Sequence, residues 1–235
     1  LRVDKRYLSY RLLRQRKIGI SDRYSAKPAG KNCFRLFDTV LANASKFQLE
    51  SIDNIISALK QHEFVLHYQP KVNMNTGAVI GVEALIRWQH PERGLVPPLE
   101  FLPIIEGHTI SLELGEWVIG TALEQIKQWQ TIGMHLPISV NISGYQLQQG
   151  NFATRIAALL AAYPEVNPSY LELEILETSV LHDISQVSAT MNACHKLGVR
   201  FALDDFGTGY SSLTHLRRLP AQLIKIDQTF VRDML

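Results

Sequence analysis

Short apolar segments alternate with helical segments along most of the chain, and this alternation limits the fold more than any other feature. Two of the apolar segments, Phe201-Ala202-Leu203 and Leu223-Ile224, lack the polar alternation of a half-exposed strand, which is typical of parallel strands buried on both faces. Parallel strands linked by helices make right-handed crossovers, and their natural closed form is a (β/α) barrel. The sequence therefore predicts an α/β fold of the TIM-barrel type, with active groups at the carboxyl ends of the strands.

The periodicity predicts six strands. The turn Asn75-Thr76-Gly77 joins the first two as an antiparallel hairpin. An eight-stranded barrel requires about two more βα units, so we expect the sequence to be incomplete at its C-terminal end. The predicted strands cover residues 64–72, 78–88, 138–142, 170–176, 199–203 and 223–226, and the predicted helices cover 97–106, 115–130, 152–162, 184–197 and a segment that begins near 229.

Residues 1–38 do not suggest a complete domain, and a helix over residues 39–62 is expected to link them to the barrel. A capping-box pattern at Ser45-Lys46-Phe47-Gln48 and an apolar stripe from Leu49 to Leu59 predict that helix. Residues 1–35 carry 11 Lys or Arg and two Asp or Glu. Few aromatic side chains lie among these basic residues, so we expect a solvated helical face and no nucleic-acid polymer as a partner.

The sequence also bears on the location of the protein. No apolar run reaches the roughly 18 residues that a membrane-spanning helix requires. The cysteines Cys33 and Cys194 lie far apart without metal-ligand spacing, and free thiols are typical of a reducing cytoplasm. We therefore expect a cytoplasmic location, in a parent protein whose upstream part can carry a sensor or a membrane anchor.

The second predicted strand places a carboxylate and a guanidinium on one face, at Glu83 and Arg87. The opposite face, from Ile80 to Trp88, is wholly apolar and accounts for the packing of the strand. Unpaired buried charge is costly, so the charged face requires a reason of its own. Two interpretations stay open from this strand alone: a structural ion pair between Glu83 and Arg87, or a functional site.

Polar side chains lie near one end of five successive predicted strands. Each one alone is more often an ion-pair partner or a helix cap than a catalytic group, but five strands in register are not easily explained by chance. Because the carboxyl ends of parallel strands meet at one edge of a barrel, we expect these side chains to converge. They are Glu83 in the second strand, Asn141 in the third, Glu172, Glu174 and Glu177 in and just after the fourth, Asp204 and Asp205 in the fifth, and Lys225 and Asp227 in the sixth.

This set of side chains is too acidic to be buried without compensation. Two carboxylates ~4 Å apart repel by about 4 kcal/mol at an effective dielectric constant of 20, so either some of them hold protons or a divalent metal neutralises them. Ligands that are all oxygen suit Mg²⁺ or Mn²⁺ rather than zinc. The adjacent Asp204 and Asp205 suit two ions, and two-metal sites favour in-line attack of water on a phosphodiester. Lys225 is then placed to orient the water or to stabilise charge on the phosphoryl oxygens.

Seven short motifs follow one another along the chain. They are Tyr68-Gln69-Pro70, Glu83-Ala84-Leu85 within Val82–Trp88, Gly115-Glu116-Trp117, Val140-Asn141-Ile142-Ser143, Glu174-Ile175-Leu176-Glu177-Thr178, Asp204-Asp205-Phe206-Gly207-Thr208-Gly209-Tyr210-Ser211-Ser212 and Lys225-Ile226-Asp227. A lone Glu-Ala-Leu carries no information, whereas the ordered set is specific. From about Phe64 to Leu235, the sequence resembles the EAL family of cyclic-di-GMP phosphodiesterases.

The resemblance implies a modified TIM barrel with one antiparallel strand, which agrees with the predicted hairpin. It implies hydrolysis of cyclic-di-GMP to linear pGpG with Mg²⁺ or Mn²⁺, in bacterial second-messenger signalling, and it suggests a homodimer. By motif position, the resemblance implies four metal ligands, Glu83, Asn141, Glu174 and Asp204, and a second metal at Asp205. Lys225 would hold the catalytic water with Asp227 nearby, and Glu177 would brace the Asp-Phe-Gly loop. Gln69 and Arg87 would contact the substrate, with Arg87 at a phosphate.

Residues 25–38 resemble the end of a diguanylate-cyclase GGDEF domain, although the Gly-Gly-Asp-Glu-Phe signature is absent. The resemblances predict a GGDEF remnant over residues 1–38, a linker helix over 39–62 and an EAL domain over 63–235 that lacks its C-terminal part. They also imply a GGDEF or sensor domain upstream in the parent protein.

Two family motifs have no counterpart before Leu235. One is a Glu-Gly-Val-Glu run, whose first Glu acts in the family as catalytic base and second-metal ligand, and the other is a Gln-Gly-Tyr segment. We therefore expect impaired hydrolysis from the chain as it stands. The alternatives are a non-catalytic cyclic-di-GMP receptor or interaction module, and an unrelated metal-dependent TIM-barrel enzyme. The metal-ligand positions that are present all match the family, which favours an enzyme-derived chain over a receptor.

Overall fold

The computed structural model describes residues 39–180, 183–207 and 219–232. The predicted GGDEF remnant, which includes Cys33, lies outside the described residues, as does most of the Gly- and Ser-rich loop that follows Gly207.

Contacts between residues divide the chain into two compact units, residues 1–51 and residues 52–235. The described part of the first unit belongs to helix α1, Thr39–Lys60, which lies within the segment predicted as a linker helix but begins before Ser45, so the capping-box pattern there does not open the helix. In the second unit, the last turns of α1 bury Ile55 and Ala58. Among the described residues, no helix combines the length and apolar character of a membrane span.

The described residues of the second unit form one sheet of seven strands. Strands β1 and β2 form the predicted antiparallel hairpin, and β3 pairs with β2 in the same antiparallel sense. The remaining pairs are parallel, and the strand order is β1-β2-β4-β5-β6-β7. The strands are β1 Phe64–Val72, β2 Val79–His90, β3 Gly94–Val96, β4 Ile138–Ile142, β5 Leu171–Leu176, β6 Arg200–Phe206 and β7 Leu223–Ile226.

Within the described residues, helices lie between β2 and β4, between β4 and β5, between β5 and β6, and after β7, as the alternation in the sequence predicted. They are α2 Leu102–Ile105, α3 Thr109–Thr131, α4 Gly144–Leu147, α5 Phe152–Ala161, α6 Ile184–Lys196 and α7 Gln228–Arg232, with 3₁₀ turns at Pro98–Glu100, Pro168–Tyr170 and Glu177–Val180.

Two helix predictions were wrong in detail. The single helix predicted over residues 97–106 is instead a 3₁₀ turn and the short helix α2, and the prolines at positions 98 and 103 lack the N–H that a continuous helix uses. Helix α3 begins at Thr109 rather than Gly115, because the side chain of His108 accepts a hydrogen bond from the Ile110 N–H and caps the helix.

Two apolar clusters hold the unit together. The larger packs α3, α5 and α6 on the sheet and includes Ile126, Ile138 and Phe201. The smaller lies beside the hairpin, where the rings of Phe64 and Trp88 have centroids 5.7 Å apart. On the apolar face of β2, Val82, Ala84 and Trp88 are buried, but Ile80 is 55% exposed, so the beginning of the strand lies outside the core.

The sheet is strongly curled. Lys225 on β7 and Glu83 on β2 are four strands apart in the strand order, a separation of about 19 Å in a flat sheet at roughly 4.8 Å per strand. Their side chains nevertheless meet, with Lys225 Nζ 3.0 Å from Glu83 Oε2. The described strands therefore bend toward a barrel, while the path from β1 to β7 stays open within the described residues.

Candidate metal centre

The parallel register brings polar side chains from successive strands to one edge of the sheet. Asn141 lies opposite Glu174 in the pairing of β4 with β5. Asp204 lies opposite Leu176, at the carboxyl end of β5. The convergence expected at the carboxyl ends of the strands is thus present, because hydrogen bonding between parallel strands fixes their ends at a common level.

Lys225 lies at the centre of this group. Its Nζ donates to Glu174 Oε2 at 2.6 Å and to Glu83 Oε2 and Asp204 Oδ2 at 3.0 Å each. Burial favours the neutral form of the amine, but hydrogen bonds to the three carboxylates and the negative charge of Glu174 outweigh it and raise the pKa of Lys225. Lys225 is therefore a fixed cation among three acids.

The same three carboxylates form a group that is able to hold a metal ion. Glu83, Glu174 and Asp204 each offer an oxygen, and these oxygens all lie within 4.8 Å of one another. Asn141 Nδ2 donates to Glu83 Oε1 at 2.9 Å, which adds the amide to the edge of the group. A donor set of carboxylate and amide oxygens fits a hard divalent cation.

Asp205 adjoins this group through an irregularity in β6. The register between β6 and β7 shifts between Leu203 and Phe206, and Asp205 has φ of 52°. Such a bulge turns neighbouring side chains away from strict alternation. Burial raises the pKa of Asp205, and the negative charges of Asp204 and Asp227 add to the increase. Asp205 is thus electrostatically coupled to both acids.

Asp227 follows β7 and is held by Thr229. Its Oδ1 accepts hydrogen bonds from the hydroxyl and from the backbone N–H of Thr229, the latter at 2.9 Å. These bonds lower the pKa of Asp227. This carboxylate therefore stays ionised beside Asp205.

Glu177 contacts the loop that follows the two aspartates. The side chain is buried, at 4% exposure, and its Oε2 accepts a hydrogen bond from the Gly207 N–H at 2.7 Å. This contact holds the start of the Asp-Phe-Gly loop, which is the geometry that a brace requires.

The two predicted substrate contacts lie on the hairpin. Gln69 is exposed and pairs with Glu83 in the register of β1 and β2, so the two side chains share a face of the sheet. Arg87 Nη1 donates to the carbonyl of Ile86 at 2.8 Å. The alternative of a Glu83–Arg87 ion pair is wrong, since Glu83 pairs with Lys225 instead and Arg87 has no acidic partner among the described side chains.

A second lysine, Lys71, also reaches the acidic group, although it is absent from the predicted site residues. Lys71 Nζ lies 2.7 Å from Glu172 Oε1 and 3.3 Å from Glu174 Oε1, and it also donates to Ser139 Oγ. A signal was present, because alternation along β1 places Lys71 on the same face as Gln69. Its reach across the sheet depends on the curl, which the sequence pattern does not reveal.

The fold and the site define a parallel-stranded α/β protein with an acidic cluster at the carboxyl edge of its sheet. A family model described as the EAL domain matches residues 52–235. The chain therefore belongs to the EAL domain family, whose domains are TIM-barrel-like, and the predicted family and fold class are both confirmed.

Relatives of known name support this membership. The chain is 37% identical over 213 residues to the bifunctional diguanylate cyclase/cyclic di-GMP phosphodiesterase MucR of Pseudomonas aeruginosa, covering 90% of this chain and 31% of MucR. It is 39% identical over 214 residues to the cyclic di-GMP phosphodiesterase PdeR of Escherichia coli, covering 90% of this chain and 32% of PdeR. The chain thus spans about a third of the length of these curated relatives.

Solved structures show the same fold. A structure described as the PaMucR phosphodiesterase in complex with c-di-GMP superposes with a TM-score of 0.74 at 38% identity, covering 79% of this chain and 75% of that chain. EAL phosphodiesterases are in general dependent on divalent metal, and the acidic cluster described above is compatible with that dependence.

Proposed function

We propose that this chain hydrolyses cyclic-di-GMP to linear pGpG with Mg²⁺ or Mn²⁺. The observation that carries the proposal is the convergence of Glu83, Glu174 and Asp204 around one ammonium, at the carboxyl edge of an EAL-family sheet. Named relatives that cover most of this chain are cyclic-di-GMP phosphodiesterases. We expect this part of the protein to lie in the cytoplasm, where a second messenger acts.

In this proposal Glu83, Asn141, Glu174 and Asp204 hold a divalent cation, and Asp205 serves a second one. Bound cations would lower the pKa of a coordinated water and neutralise charge on the phosphodiester. Lys225 then holds the attacking water, because its ammonium already lies within hydrogen-bonding distance of the proposed ligands.

The remaining residues orient the substrate and the loop. Gln69 and Arg87 contact cyclic-di-GMP from the hairpin, and the guanidinium of Arg87 suits a phosphate because its donors form a fork. Asp227 lies beside Asp205 and adds negative charge where the second cation is proposed to bind. Glu177 keeps Gly207 in place, and with it the start of the loop that follows the two aspartates.

The upstream residues extend the proposal to the parent protein. MucR carries both activities in its name, which supports the prediction that residues 1–38 end a GGDEF domain and that residues 39–62 link it to an EAL domain over 63–235. A homodimer is part of the same prediction. Sedimentation of the purified protein, with and without cyclic-di-GMP, tests the dimer.

Release of pGpG tests the proposed reaction. A complete EAL domain that contains residues 52–235, supplied with Mn²⁺ and cyclic-di-GMP, should release pGpG, detected by ion-pair chromatography. Glu83→Gln should lower the rate at least about a hundredfold, because it removes a charged ligand from the cation site. Glu113→Gln is the matched control: Glu113 is exposed on α3, and its replacement should leave the rate unchanged.

Two outcomes contradict the proposal. Turnover by Glu83→Gln at the unaltered rate refutes the role of Glu83. Saturable binding of cyclic-di-GMP to the complete domain without release of pGpG favours the receptor alternative.

A further inference from the structure

Glu174 is a fully buried carboxylate of the site, and lysines hold it from two sides. Its side chain is 0% exposed. Lys225 donates to its Oε2 at 2.6 Å, and Lys71 donates to its Oε1 at 3.3 Å. A buried carboxylate is stable only when its oxygens are paired. Lys71 therefore orients the carboxylate through Oε1, while Lys225 pairs with Oε2, where it competes with the proposed cation.

We propose that Lys71 is a positioning residue for the cation site, acting through Oε1 of Glu174. This inference rests on the proposed function, because it requires Glu174 to be a cation ligand. Hydrogen bonds to a ligating carboxylate orient it before the metal arrives, and loss of such a partner weakens metal binding.

Lys71 is itself anchored, which distinguishes it from a mobile surface lysine. Its ammonium is bound by Glu172 Oε1 at 2.7 Å and by Ser139 Oγ. The Ser139 hydroxyl also donates to Glu172 Oε1 at 2.6 Å, and Ser139 is 1% exposed. The ammonium is therefore directed at Glu174 by groups on two further strands.

The backbone leaves space for this lysine to cross the sheet. Lys71 lies opposite Gly81 in the register of β1 and β2. A Cβ at Gly81 would lie 3.1 Å from the carbonyl oxygen of Pro137 and 3.6 Å from Lys71 Cε. Because Gly81 has no side chain, the stem of Lys71 passes over β2 toward β4 and β5.

An electrostatic role and a positioning role of Lys71 predict opposite changes in Mn²⁺ affinity when Lys71 is removed. If Lys71 acted only as a nearby positive charge, its removal would strengthen cation binding, because like charges repel. If Lys71 positions Glu174, its removal weakens cation binding. The direction of the change in Mn²⁺ affinity therefore separates the two roles.

The test is a Mn²⁺ titration in which the electron paramagnetic resonance signal of free Mn²⁺ measures the dissociation constant. Lys71→Met should raise this constant on the order of tenfold or more. Lys127→Met is the matched control, since Lys127 forms an exposed ion pair with Glu165, and its constant should equal that of the unaltered chain.

A double variant keeps the test decisive if Lys71→Met alone does not fold. Lys71→Met with Glu172→Gln removes both charges of the pair, so no unpaired Glu172 carboxylate is left behind. Weak Mn²⁺ binding by this folded variant supports the positioning role. Binding as tight as that of the unaltered chain, or tighter, overturns it.

Mn²⁺ binding by the unaltered chain separates failure of the proposed cation site from failure of the proposed role of Lys71. If the unaltered chain binds no Mn²⁺, the cation site of the proposed function is refuted, and the role of Lys71 with it. If the unaltered chain binds Mn²⁺ and the double variant binds it equally well, only the role of Lys71 is refuted.

Discussion

Lys225 illustrates at the residue scale how one side chain meets two requirements. Its ammonium compensates three carboxylates that would otherwise repel one another. It also uses oxygens of Glu83, Glu174 and Asp204 that the proposed cation requires. The cation and Lys225 therefore share the same acidic oxygens, and removal of the lysine should affect binding and chemistry in opposite directions.

Replacement of Lys225 by methionine tests this expectation. Lys225→Met should bind Mn²⁺ at least as tightly as the unaltered chain, because a competing positive charge is gone. Its release of pGpG should fall by about 10²–10⁴-fold, the usual effect of losing a group that orients or activates a reacting water. If Lys225→Met loses both Mn²⁺ binding and activity, Lys225 holds the carboxylates of the cation site in place rather than orienting the attacking water.

Individual residues also show how far the site could be predicted from the sequence. Glu174 and Asp204 could be grouped because each lies near the end of a strand with clear apolar flanks, and Glu83 because it lies on the charged face of β2. Lys71 was missed because it lies on the antiparallel strand β1, three strands from Glu174 in the strand order. In a flat sheet that separation is about 14 Å, so the contact follows from the curl of the sheet and not from a local pattern.

Strands with a strong apolar pattern were predicted with the correct bounds, whereas features with a weak pattern were missed. The bounds of β1, β4 and β7 equal the predicted ones. The three-residue strand β3 is too short to show a period. The bulge in β6 depends on backbone conformation at Asp205, where φ is 52°, and nothing in the order of residues specifies that turn.

Helix α3 offers a test of how the sheet is supported. Ile126 on α3 is 1% exposed and shares a cluster with Ile138 of β4, whereas Ile132 at the end of α3 is 71% exposed. Ile126→Ala should lower the free energy of unfolding by about 2–5 kcal/mol, because it leaves a cavity in the core. Ile132→Ala should change it by about 0.5 kcal/mol or less.

Chemical denaturation of the two alanine variants measures this difference. The same slope of free energy against denaturant concentration in both variants would show that the change lies in stability rather than in the extent of unfolding. Equal losses of stability in the two variants would contradict the described packing of α3 on the sheet.

At the scale of the whole molecule, curvature turns separate strand ends into one site. Lys225 reaches Glu83 from β7, and Lys71 reaches Glu174 from β1. Both contacts require the sheet to bend into a partial barrel, so the acidic cluster and the curl of the sheet depend on each other. In the proposed function, this curled sheet holds a divalent cation between Glu83, Glu174 and Asp204.

Anomalous diffraction from a crystal of the protein grown with Mn²⁺ tests that claim most directly. We predict an anomalous difference peak within direct ligand distance of carboxylate oxygens from Glu83, Glu174 and Asp204, and its loss in crystals of Glu83→Gln. A peak bound elsewhere, or no peak at this cluster at a Mn²⁺ concentration that supports release of pGpG, would contradict the account.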